Sequence, residues 1–241
     1  MKNSNAQRFI DAYNKTDQSL RAQYNFKRSM SFSDVVRRSV LLNAIVRKYE
    51  DLLIDYGRLR NAIVHQNNDE MIIAEPHLKV VEKMEQISTL VSTPPKILDT
   101  VARKDILCVD DNISIKKTIE IIAKSGYSNL PIYKNEVLVG VANGQRILDK
   151  IGYEIYKKND IEDYIQHTLI SEMETGEGLN VYYALSGADL TIDKALDMFY
   201  NNRKLLIIVI TKTGNYLEQP LGIITNTDII DINKILDNFL I

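Results

Sequence analysis

Two stretches decide the reading of this chain: Gly222-Ile223-Ile224-Thr225-Asn226-Thr227-Asp228, and its weaker echo Gly140-Val141-Ala142-Asn143-Gly144-Gln145-Arg146. Each begins with a glycine and apolar residues, as a short buried strand does, and passes into residues that favour a helix start. Working outward, the sequence around them repeats. Ile115, Ile119 and Ile122 align with Ile192, Leu196 and Phe199, so each copy carries one apolar helix face at i, i+4, i+7. Tyr133 aligns with Ile210, and Gly140 with Gly222, which makes the second hairpin longer by five residues. Each copy reads helix, strand, hairpin, strand, helix. The copies span 97–156 and 179–241, with a charged connector of helical pattern at 157–178.

Upstream of Pro94-Pro95 the pattern is helical throughout, and a proline pair is a natural stop. Phe9, Ile10 and Tyr13 share a face. Val46, Tyr49, Leu52, Leu53, Tyr56, Leu59 and Ile63 form one long stripe, and Pro76 suits the first turn of a further helix carrying Val80, Val81, Met84, Ile87 and Leu90. Residues 1–96 are expected to form an all-helical bundle of about four helices. The fold class is therefore α+β: a helical bundle followed by two β-α-β-β-α repeats.

Composition narrows the function. The chain has 241 residues, 45% of them hydrophobic and 26% charged, an ordinary globular balance. The longest apolar runs, such as Leu205 to Ile210, are too short to span a bilayer, and the opening MKNSNAQRFIDAYNK has no signal core, so a cytoplasmic location is expected. One cysteine, Cys108, excludes an internal disulfide framework, and three histidines offer little for a metal cluster. Cys108 is expected in the core. The net charge of −2 divides into +4 over residues 1–97 and −6 beyond. No phosphate-cradling loop and no dinucleotide fingerprint follow a strand, so kinase and dehydrogenase readings have no support.

The repeat resembles a pair of CBS domains, the tandem arrangement called a Bateman module. The resemblance rests on Ser128, Leu130, Pro131 and Ile132 leading a strand, and on the closing Gly222–Asp228 turn. In such modules the turn meets an adenosyl ligand. Free backbone N–H groups and the positive end of a helix face the phosphate, Thr225 and Thr227 offer hydroxyls, and the Asp228 carboxylate accepts from a ribose diol. The same residue types cap helices well, and a purely structural cap is the competing reading. The resemblance further implies that Ile106, Leu107, Tyr127, Ser128 and Asn129 hold adenine and that Arg203 and Lys204 meet phosphate. Plain core packing for Ile106 and Leu107, and dipole-compensating cations for Arg203 and Lys204, are the alternatives. The first turn departs from the pattern. Asn143 replaces a hydroxyl residue and Arg146 replaces the acid, and a guanidinium cannot accept from a diol. One adenosyl site per chain is expected, for AMP, ADP, ATP or cyclic di-AMP, with no cofactor required.

A second motif, Arg60-Asn61-x3-His65, resembles the R-N-x-x-x-H run of HEPN domains, helical bundles that include metal-independent ribonucleases and plain dimerisation modules. Carried over, His65 would act as general acid–base on a ribose 2′-hydroxyl, Arg60 would steady the phosphorane charge and Asn61 would orient the substrate. A cation-rich helix end is the bland alternative. Three functions follow: a nucleotide sensor, a nucleotide-controlled endoribonuclease acting on RNA, and a scaffold without ligand. Each is compatible with a homodimer.

Overall fold

The structure is a computed structural model that describes residues 4–64, 74–173 and 181–238. The chain clusters into two compact units. The first holds the residues up to Pro95 together with Thr191–Asp197 and the residues from Ile230 onward; the second holds Lys96–Leu190 and Met198–Ile229.

In the helical unit, α1 (Asn5–Tyr24), α2 (Phe32–Ser39), α3 (Ala44–Lys48), α4 (Glu50–Ile63) and α5 (Leu78–Ser92) follow one another. Polar caps set their starts. Ser4 Oγ accepts the Gln7 N–H, Ser31 Oγ accepts that of Asp34, and Asn43 Oδ1 accepts those of Ile45 and Val46. Phe9, Leu20, Val35, Ile45, Leu53, Met84 and Leu90 are fully buried, and the Phe9 ring meets Tyr56 edge-on with centroids 5.5 Å apart.

Two expectations change here. The stripe from Val46 to Ile63 is not one helix, because Tyr49 breaks it with φ −114° and ψ 20°. The Tyr49 side chain is buried and donates its hydroxyl to the Leu236 carbonyl at 2.9 Å, a long-range bond that sequence periodicity does not register. Pro76 stands outside the first turn of α5. His77 takes the cap, with Nδ1 accepting the Lys79 N–H at 3.3 Å. The unit is completed from the far end of the chain. Arg47 pairs with Asp197 at 2.7 Å and Lys48 with Asp237 at 2.9 Å.

The second unit contains two three-stranded sheets of identical topology. In the first, β1 (Val109–Asp110) runs parallel to β2 (Asn129–Lys134), which pairs antiparallel with β3 (Val137–Asn143). In the second, β4 (Tyr183–Ser186), β5 (Ile207–Ile210) and β6 (Gly222–Thr225) repeat the pattern. Helix α6 (Ile115–Ser125) follows β1, and α7 (Gly144–Tyr156) follows β3. After the second sheet's strands come α10 (Ile192–Asn201) and α11 (Ile229–Asn238) in the same order. The chain is thus α+β with two β-α-β-β-α repeats. The tight turn between β2 and β3 places Asn135 and Glu136 at positive φ, as a two-residue hairpin of matching twist requires.

The connector carries α8 (Ile161–His167) and α9 (Ile170–Met173), and Ile170 and Met173 are buried with Val109, Ile115, Leu130 and Ile132. A second apolar cluster joins the two sheets through Tyr133, Val141, Tyr183, Val209 and Ile223. Cys108 packs against that cluster half-buried, and burial pushes its thiol pKa up.

Candidate ligand site at the closing turn of the second repeat

Strand β6 is buried along its length and ends at Thr225. Its glycine is required by packing. A Cβ on Gly222 would stand 2.6 Å from Leu98 Cδ2 and 3.2 Å from Ala102 Cβ, because the segment ahead of β1 lies on this strand. Arg103 and Ile223 exchange both backbone hydrogen bonds there, each at 2.9 Å.

After Thr225 a short 3-10 turn, Asn226–Asp228, leads into α11. One carboxylate oxygen, Asp228 Oδ2, accepts the Thr225 N–H at 2.7 Å and the Thr225 hydroxyl at 2.8 Å. With that hydroxyl so committed, the Thr227 hydroxyl donates to Thr225 Oγ1 at 2.7 Å. The three side chains form one directed chain ending on a carboxylate that is fixed in place with Oδ1 left to take a further donor. The capping reading accounts for Oδ2, and none of these bonds uses Oδ1.

The first turn is built differently. Asn143 Oδ1 accepts the Arg146 N–H at 3.0 Å, and its Nδ2 donates to Asn129 Oδ1 at 2.8 Å. The Arg146 guanidinium carbon lies 4.5 Å from the centroid of the Tyr182 ring. Beside that stack is a cavity of about 330 Å³ lined by Arg146, Asp149, Lys150, Tyr153, Met173 and Tyr182.

Comparison with known proteins finds a family match that covers the first turn. Residues 98–153 match the CBS domain. A search of curated proteins found none that matches. Among solved structures, a CBS domain-containing protein of unknown function from Bacillus anthracis is 18% identical, over 58% of this chain and 93% of that one, with TM-score 0.45. The CBS domain of a bacterial CNNM/CorC family Mg2+ transporter, in complex with ATP, is 18% identical over 63% and 94%, with TM-score 0.44. The CBS domain pair of protein MJ0100, with 5′-methylthioadenosine and S-adenosyl-L-methionine, is 19% identical over 58% and 97%, with TM-score 0.42.

Around the two turns the residues singled out in the sequence separate into groups. Thr225, Thr227 and Asp228 are joined directly. Arg203 and Lys204 are exposed in the turn after α10, and beyond them the Leu206 carbonyl accepts the Asn226 N–H at 3.2 Å. Ile106 packs on the cluster containing Ile223, whereas Leu107 is exposed. Ser128 and Asn129 are held at the first turn, where the Ser128 carbonyl accepts the Gly144 N–H at 3.0 Å.

Tyr127 brings in two residues that sequence reasoning missed. Its ring lies 4.5 Å below the Arg103 guanidinium, and its hydroxyl donates to Asp105 Oδ2 at 3.1 Å. Arg103 is backbone-paired to Ile223, so this cluster adjoins the strand that ends in the second turn.

In the helical unit, Arg60 is half-buried at the end of α4. Its guanidinium carbon lies 5.9 Å from the Tyr13 ring centroid, its Nη1 donates weakly to Asn61 Oδ1 at 3.5 Å, and its buried Nε has no hydrogen-bond partner among the described residues. Asn61 is exposed. His65 lies outside the described residues. Among the described residues no group of three His, Cys, Asp or Glu side chains is placed to hold a metal ion, and no helix is long and apolar enough to cross a membrane.

Proposed function

We propose that this chain is a regulatory protein that binds an adenine nucleotide at the second turn of its CBS pair. The observation that carries the reading is the Asp228 carboxylate. It is held by Thr225 through one oxygen, and the other, Oδ1, is an acceptor for a ribose diol at the start of α11 in this reading. Arg203, Lys204 and the missed Arg103 supply cations for phosphate, and Ile106 supplies an apolar wall. AMP, ADP, ATP and cyclic di-AMP share the adenosine that this set would recognise. The nucleotide modulates the helical unit or a partner by binding one state of the chain more tightly than another.

Calorimetry with AMP, ADP, ATP, cyclic di-AMP and S-adenosylmethionine tests the reading. One of them should bind saturably to the wild type near one per chain, and Asp228→Ala should abolish it. Absence of binding by all five would overturn the assignment.

The chain is read as a homodimer through the exposed apolar face of α7. Leu148 and Ile155 stand 60% and 57% exposed there, beside a groove lined by Ile119, Ile122, Ile147 and Ile151. Sedimentation of Leu148→Asp should give a monomer.

The unpartnered Arg60 Nε supports a second reading, in which the helical unit is a HEPN-like ribonuclease with Arg60, Asn61 and His65 at its centre. RNA cleavage by the wild type, lost in His65→Ala, is its test.

A further inference from the structure

We infer that Arg146 is the specificity-determining residue of the first cleft: stacked on Tyr182, it occupies the place of an adenosyl ligand and keeps that cleft closed. The inference rests on the nucleotide reading above. It begins with the sheet registers. Val109 of β1 pairs with Ile132 of β2 as Leu185 of β4 pairs with Val209 of β5. Counting back three residues from each, Tyr182 stands in the first cleft where Ile106 stands in the second. Arg146 follows Asn143 by three residues as Asp228 follows Thr225.

The two positions have exchanged chemistry as well as residue. In the second turn the acid caps the backbone of Thr225. In the first turn Asn143 does the capping from its own side chain, accepting the Arg146 N–H. The side chain at 146 is not the cap of its own turn, and its guanidinium carbon lies 4.5 Å from the centroid of the Tyr182 ring. A guanidinium on an aromatic face is a stable planar stack, and it covers the surface against which a purine would pack. It also presents only donors where a ribose diol needs an acceptor.

Substitution by aspartate both removes the stack and restores an acceptor. Residue 146 is the third residue of α7, where a carboxylate suits the helix N-terminus, so Arg146→Asp is compatible with the local fold.

Equilibrium dialysis with AMP, or with whichever of the five adenosyl compounds binds the wild type, reads the result as a count per chain. Arg146→Asp should bind one equivalent more than the wild type. The double variant Arg146→Asp/Asp228→Ala should retain that added equivalent and lose the original one. An unchanged count in Arg146→Asp overturns the inference, as does a wild type that already binds two. The nucleotide reading is tested separately by the wild-type count, whereas this inference is read from the difference between variant and wild type. Arg146→Gln, which removes the cation and supplies a neutral acceptor, guards against misfolding of the aspartate variant. It should also add a site, about tenfold weaker than the aspartate's, and if the aspartate variant does not fold, failure of folded Arg146→Gln to add one refutes the role of Arg146.

Discussion

Thr225 is the middle member of a three-residue chain of hydrogen bonds, and Thr225→Val removes that member while keeping the side-chain volume. The valine cannot donate to Asp228 Oδ2, a bond of 2.8 Å to a carboxylate, nor accept from Thr227 at 2.7 Å. A hydrogen bond to a charged group contributes about 1.5–3 kcal/mol and a neutral one about 1 kcal/mol. Thr225 is buried, so water does not replace the lost partner fully, although the added methyl recovers about 0.8 kcal/mol of transfer energy. The net loss expected is about 2–3 kcal/mol. The backbone bond from Thr225 N–H to Asp228 survives in this variant, which separates the hydroxyl from the cap. Urea titration of the wild type, Thr225→Val, Asp228→Ala and the double variant measures the coupling. The two losses should fall short of additivity by about 1.5 kcal/mol or more, because they share one bond. Additivity within about 0.5 kcal/mol would refute the directed chain and with it the anchoring of the Asp228 carboxylate.

Other outcomes follow from the same coordinates. Tyr49→Phe should cost about 1 kcal/mol in urea denaturation, since it strips the buried Leu236 carbonyl of its 2.9 Å donor; no change would mean that bond is dispensable. Gly222→Val should destabilise by about 1–3 kcal/mol through overlap with Leu98 and Ala102, and a neutral result would show that the segment ahead of β1 yields freely. Burial pushes the phenols of Tyr13, Tyr49 and Tyr133 up to about 12, with Asp17 adding to the first, Asp237 to the second and Cys108 to the third. The folded chain then holds protons that the unfolded chain releases near pH 10. Stability should be full below pH 10 and decline as pH rises toward 12, read as a falling urea midpoint; a midpoint unchanged up to pH 12 would contradict the burial of these hydroxyls.

Much of this fold is legible in the sequence because its signals are local. The repeated apolar helix faces, the β-branched strands and the Gly222–Asp228 turn all announce themselves within ten or so residues, and the structure returns them as β-α-β-β-α units. What escapes is long-range. At the break, the Tyr49 hydroxyl bonds a carbonyl at Leu236, and neither stretch contains a sign of the other. The Arg103–Tyr127–Asp105 cluster depends on Arg103 pairing with Ile223 across more than a hundred residues. The turn residues Thr225, Thr227 and Asp228 were readable as a group because they are adjacent. The placement of Ser128 and Asn129 at the first turn was not, because it is Asn143 that ties them there. Arg146 was readable as a departure from pattern, but the ring it rests on became visible only with the chain folded.

The discontinuity of the helical unit bears on how the chain is made. Its first five helices leave the ribosome early, yet the bonds that complete the unit span 150 residues from Arg47 to Asp197 and 187 residues from Tyr49 to Leu236. While the intervening sheets are being synthesised, Tyr49 and Arg47 wait without the partners that bury them. Contacts of such separation close late, and the nascent bundle exposes apolar surface until the last helix emerges. The helical unit is first in the gene order of the chain and last to be finished, so premature termination anywhere before α11 would yield a bundle lacking one wall.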